Sequence, residues 1–106
     1  MIIINIASDF SPAPGARIYS DGPFSGQEFY DKLLKNKFEL AIKDGVKLKV
    51  ILDGVEGYTS SFINEAFSLL GNAYNPELVW NNLIIVSNET PKYIEKVKES
   101  VYEKRK

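Results

Sequence analysis

Three hydroxyls in a row, Thr59-Ser60-Ser61, lie between two segments of different character. Before them an apolar run, Leu48-Lys49-Val50-Ile51-Leu52, closes on Asp53; after them Phe62, Ile63, Ala66, Phe67 and Leu70 recur at helical spacing. Glu56 and Glu65 supply two further carboxylates nearby. A hydroxyl just ahead of a helix accepts a hydrogen bond from a free backbone N–H, which is the capping role open to Thr59 or Ser60. A neighbouring hydroxyl turned to solvent is a contact point or a phospho-acceptor, at a helix end whose dipole favours negative charge. These two uses are compatible, since one hydroxyl can cap while the next faces outward. Asp53, Glu56 and Glu65 would hold magnesium only if their carboxylates converged, normally with help from substrate phosphates, and nothing in their spacing makes them converge.

The rest of the composition narrows the chemistry. The chain has 106 residues and contains neither histidine nor cysteine. Disulfides, thiolate nucleophiles, cysteine/histidine zinc sites and histidine general bases are therefore excluded. Any enzyme here would have to work with carboxylates, lysines or tyrosines. A net charge of −1 lacks the basic excess expected of a general nucleic-acid binder. The apolar runs are too short to span a membrane, and Met1-Ile2-Ile3-Ile4 lacks the basic start and cleavage site of a signal peptide. A cytoplasmic location, with no cofactor, metal, nucleic-acid or membrane partner, is the expectation.

Three lesser features have ordinary readings. Asp21-Gly22-Pro23-Phe24-Ser25-Gly26 opens a helix and could hold an anion on its N–H groups, but without the P-loop lysine it reads as a turn and a cap. Trp80 reads as an edge-of-core side chain rather than an interface anchor. Arg105-Lys106 is too short for a basic arm and would complement the dipole of the last helix.

The elements that must position these residues follow from periodicity. Residues 2–7 are rich in isoleucine and read as a strand; Ser11-Pro12-Ala13-Pro14-Gly15 breaks it. Residues 16–20 would pair back as a second strand, in a hairpin with a long loop. Ser25-Gly26-Gln27-Glu28 is a capping box, followed by a helix with Tyr30, Leu34, Phe38 and Ala41 on one face, ending near Asp44-Gly45. Residues 46–53 form a central strand expected to be covered on both faces. The hydroxyl run opens the second helix, which ends near Gly71-Asn72; Asn75-Pro76 marks a loop. Leu83-Ile84-Ile85-Val86 is another strand, and Thr90-Pro91 opens the last helix with threonine as cap. The order β-β-α-β-α-β-α implies one α/β domain over residues 1–106, with a mainly parallel central sheet and helices.

From Val50-Ile51-Leu52-Asp53 through Tyr58-Thr59-Ser60-Ser61-Phe62 to Asn64-Glu65-Ala66-Phe67, the chain resembles a STAS-like domain. It is most similar to an uncharacterised bacterial STAS-like family related to anti-sigma factor antagonists, whose pattern is aspartate, a short loop, Thr-Ser-Ser-Phe, an acidic residue and Ala-Phe. Gly22-Pro23-Phe24-Ser25-Gly26 and Phe29 fit as well, and the resemblance covers roughly residues 15–88. In anti-sigma antagonists this loop typically reads Asp-Ser-Ser-Gly, and a partner kinase phosphorylates the first serine. That serine falls on Ser60, while Thr59 stands in place of the aspartate and Phe62 in place of the glycine.

Three functions are compatible with these readings. The first, which the resemblance favours, is a non-enzymatic interaction or regulatory module. Its implied partner is a kinase-like ATPase of the histidine-kinase superfamily, and its implied switch residues are Ser60, then Thr59 and Ser61, with Asp53 and Glu65 beside them. The second is a small-ligand or nucleotide-binding domain using the loop after Asp53. The third is a carboxylate enzyme built on Asp53 and Glu65. A flat or convex surface around residues 59–62 would favour the first; a deep polar pocket beside Asp53 would favour the others.

Overall fold

A computed structural model describes residues 1–105. Three strands, β1 (Ile2–Asn5), β2 (Leu48–Ile51) and β3 (Leu83–Val86), form one sheet in the order β1-β2-β3. All pairings are parallel, with Ile4 beside Val50 and Val50 beside Ile85. The central strand and its parallel apolar partner are therefore where periodicity puts them. Only one face of the sheet is closed over, however. Leu48 and Val50 are fully buried, whereas Lys49 and Ile51 are half-buried and Ile3 is 49% exposed. That alternation is the signature of one-sided packing and corrects the expectation of a strand covered on both faces.

The first strand is shorter than its apolar run. The Asn5 side chain accepts from Ser8 N–H at 3.3 Å, and Asn5 N–H donates to Asp9 at 2.8 Å, so the chain turns into a short helix α1 (Ile6–Asp9). The expected hairpin strand over residues 16–20 does not form. The carbonyls of Ala16 and Arg17 instead accept the free N–H groups of Gly26 and Gln27 at the start of the next helix, at 2.9 and 3.0 Å. A 3₁₀ turn, Tyr19–Asp21, completes this loop. Backbone groups spent on a helix start cannot also build a ladder.

Helix α2 begins at Gly26–Phe29, widens into a π turn over Tyr30–Leu34 and continues over Lys35–Asp44. Ser25 caps it by accepting from Glu28 N–H at 3.0 Å, as the capping box requires; the Glu28 carboxylate pairs with Lys32. Helix α3 (Ser60–Ala73) buries Phe62, Ile63, Ala66, Phe67 and Leu70, the residues its spacing singles out. Phe29 and Phe62 lie 5.6 Å apart between the ring centroids, with Phe67 and Phe10 around them. Gly26 is needed there, because a Cβ at that position would stand 2.5 Å from the carbonyl oxygen of Phe62.

Asn75-Pro76 opens a helix rather than a loop. The Asn75 side chain accepts from the N–H groups of Glu77 and Leu78, and α4 (Pro76–Asn81) follows with proline in its first turn. Trp80 is half-buried against the core, with the Lys98 ammonium 5.8 Å from its ring centroid. Helix α5 (Lys92–Tyr102) buries Val97, Ser100 and Val101. Thr90 starts it through its carbonyl, which accepts from Tyr93 N–H, and not through its hydroxyl. The helix ends at Tyr102, so Arg105 is not in its last turn; Lys106 lies outside the described residues. Helices α3 and α5 touch so closely that a Cβ on Gly71 would lie 2.0 Å from the Val101 carbonyl oxygen. No helix among the described residues is long and apolar enough to cross a membrane.

Candidate functional site

In a parallel α/β sheet the loops after the strands gather at one end, and here those after β2 and β3 are tied together. The two Asp53 carboxylate oxygens accept from the backbone N–H groups of Glu89 and Asn88, at 2.9 and 3.1 Å. Glu89 answers by accepting from Gly54 N–H at 2.8 Å, and Gly54 holds a φ of 90° that suits glycine. Asp53 is thus a crosslink. The space beside it, bounded by Glu56, Ser87 and Glu89, is about 30 Å³, a volume suited to a water molecule.

Two tyrosines extend the crosslink toward the hydroxyl run. The Tyr58 hydroxyl donates to the Leu52 carbonyl at 2.8 Å, and Tyr58 N–H donates to the Tyr93 hydroxyl at 3.3 Å. The two rings meet edge to face at 5.2 Å. Burial pushes the Tyr58 phenol well above its ordinary value, and the nearby Tyr93, Asp53 and Glu89 push the same way.

Adjacent hydroxyls are used differently. Thr59 Oγ1 accepts from Phe62 N–H at 3.1 Å and donates to the Gly15 carbonyl at 2.8 Å, so Thr59 is the cap. Ser60 is the first residue of α3 and is exposed, and its hydroxyl has no hydrogen-bond partner among the described residues. Ser61 is half-buried, and its hydroxyl likewise has no partner among the described residues.

Ser60 stands at a groove of about 380 Å³ between α3 and α5. Tyr58, Ile63 and Tyr93 give it apolar walls, and α5 adds Lys92, Glu95, Lys96 and Glu99. None of these four charges is in an ion pair among the described residues. Lys92 and Lys96 belong to no motif in the sequence; their only signal there is a four-residue spacing, which puts them on one face of a helix.

Glu65 belongs to a different neighbourhood. It is buried, and it accepts from Arg17 at 3.1 Å and from both terminal nitrogens of Arg105 at 3.2 Å. Arg17 also reaches Asn64 and Arg105 also reaches Ser68, at 2.9 and 2.8 Å. The forked pairing of guanidinium and carboxylate ties the loop before α2 and the chain after α5 onto α3. Arg105 therefore holds Glu65 and does not complement a helix end. Glu65 and Asp53 each serve a separate crosslink, and no three acidic side chains among the described residues are grouped to hold a metal ion.

No curated protein and no solved structure matches the chain. A family model does match, over residues 25–93, a span that runs from the Ser25 cap through the hydroxyl run to Tyr93 in the groove wall. The chain belongs to this family, described as STAS-like domain of unknown function (DUF4325).

Proposed function

We propose that this domain is a non-enzymatic regulatory module of the bacterial cytoplasm that meets a protein partner through the Ser60 end of α3. The partner is an ATPase of the histidine-kinase superfamily, and Ser60 is the residue it modifies. In that step the terminal phosphoryl group of ATP moves to Ser60 Oγ, the hydroxyl proton goes to a base on the partner, and ADP leaves. One observation carries the reading: of the three adjacent hydroxyls, Thr59 is consumed as the helix cap, Ser60 and Ser61 make no bond within the described chain, and of these two only Ser60 is exposed. The engagement of Asp53 and Glu65 in crosslinks favours this over a carboxylate enzyme.

A second reading is a small-ligand domain. The groove of about 380 Å³ falls in the range of about 300–1,000 Å³ usual for such sites, and Tyr58 and Ser60 bring the end of the loop after Asp53 into its wall, so the surface at Ser60 is concave and not the flat or convex one expected of a pure docking face; Asp53 itself does not line it. Affinity capture from the native host separates the two. The wild-type chain should retain an ATPase of this superfamily, and the Ser60→Asp chain should not. Recovery of a small molecule from the groove, with equal protein capture by both chains, supports the ligand reading instead.

A further inference from the structure

The groove gives Ser60 a second set of neighbours, whose role rests on the proposed modification of that residue. Ser60 and Lys92 are the first residues of α3 and α5, and both line the groove. The two helices run alongside in the same sense: Ser60 and Lys92 share one end, and Gly71 meets Val101 toward the other. Lys92 and Lys96 lie one turn apart on the groove side of α5, with no carboxylate paired to either among the described residues. Two ammonium groups without partners, beside a hydroxyl without a partner, are an arrangement for an anion carried on that hydroxyl.

We infer that Lys92 and Lys96 clamp a phosphate ester on Ser60 against helix α5. Each ammonium offers three donors, and the phosphate offers three strong acceptors and about −1.5 to −2 charges. Every charged or titratable side chain lining the groove enters the balance. Glu95 and Glu99 oppose the phosphate, but Glu99 lies about 10 Å along the helix axis from Lys92, at the usual rise per residue. Burial, which raises the Tyr58 phenol, keeps that group neutral and out of the charge balance. The clamped ester lies across the groove mouth and covers the half-buried rings of Tyr58 and Tyr93. Modification thus withdraws an apolar surface from the partner as well as adding charge.

The test uses the full chain carrying phosphoserine at position 60, introduced by genetic-code expansion. Phosphorus NMR follows its second ionisation, ordinarily near pH 6. The clamp lowers this midpoint in the otherwise wild-type chain, and Lys92→Gln/Lys96→Gln raises it by about one unit. Glu95→Gln/Glu99→Gln shifts it the other way. Both lysines are outside the buried core, so melts of the unmodified double variant should match wild type and confirm that it folds. Equal midpoints in the wild-type and lysine-variant chains overturn the clamp; the partner reading would survive, because it does not depend on the lysines. A shifted midpoint together with unchanged partner binding by Ser60→Asp keeps the clamp and removes the partner reading.

Discussion

Helix α3 carries polar groups near its start that are treated in opposite ways. The Ser60 hydroxyl is exposed and unbonded within the described chain, whereas Glu65, little more than a turn further on, is buried under two arginines. Burial explains the contrast. A buried charge must be paired and hydrogen-bonded or it destabilises the fold, so Glu65 recruits Arg17 and Arg105 from distant parts of the chain. An exposed hydroxyl is satisfied by water and needs no partner in the protein. A polar group whose bonds are all made inside the molecule is explained by the fold; one left over at the rim of a groove is available to something else.

The sharpest way to break the contrast is to remove the helix packing that both regions share. Gly71→Val places side-chain atoms into the Val101 backbone and should cost about 3 kcal/mol or more in denaturant unfolding. Next comes the Glu65 side. Glu65→Ala leaves two guanidinium groups without their carboxylate, and a loss of about 1–3 kcal/mol is expected. The figure is held down because the Arg17 and Arg105 side chains are 40% and 36% exposed, and water screens what remains. The loss should shrink in part with added salt, because both guanidinium groups remain open to water.

At the hydroxyl end the effects are smaller and should differ between neighbours. Thr59→Ala removes the cap and its bond to Gly15, costing about 1 kcal/mol, while Ser60→Ala should stay within about 0.5 kcal/mol of wild type. Equal losses in the two melts would contradict the division of roles. A pH series probes the loop that leads into them. The Tyr58 phenol is raised above its ordinary 10.0 in the folded chain, so its contribution is intact below that pH and is lost as pH rises past it. Tyr58→Phe should flatten part of the alkaline fall in melting temperature, leaving the share of Tyr74, which burial and its bond to Glu39 also raise.

The sheet was legible in the sequence wherever a local pattern existed. The apolar runs of β2 and β3 and the helical spacing after Phe62 pointed to strand, helix and parallel sense, and the hydroxyl run marked a helix start. The missing hairpin was not legible, because the fate of residues 16–20 is decided by the free N–H groups of a helix beginning at Gly26. Helix α4 was hidden because Asn75-Pro76 suits a turn and a helix start equally well. Within the site, Ser60 and Thr59 stood out, but the choice of cap between them rests on the Gly15 carbonyl, remote in sequence. Asp53 and Glu65 were visible only as carboxylates. Their partners, the Asn88 and Glu89 N–H groups and the two arginines, are brought to them by the fold.

Whether Ser60 is a presented residue or a structural one is tested most directly by titration calorimetry with the proposed ATPase partner, isolated from the native host. Wild-type and Ser60→Asp chains should share a melting temperature within about 2 °C, since an exposed helix start tolerates the added charge. A presented Ser60 requires at least a tenfold weaker affinity for Ser60→Asp, or about 1.4 kcal/mol. Equal affinities at equal stability would contradict that role and leave the hydroxyl run as a helix cap alone.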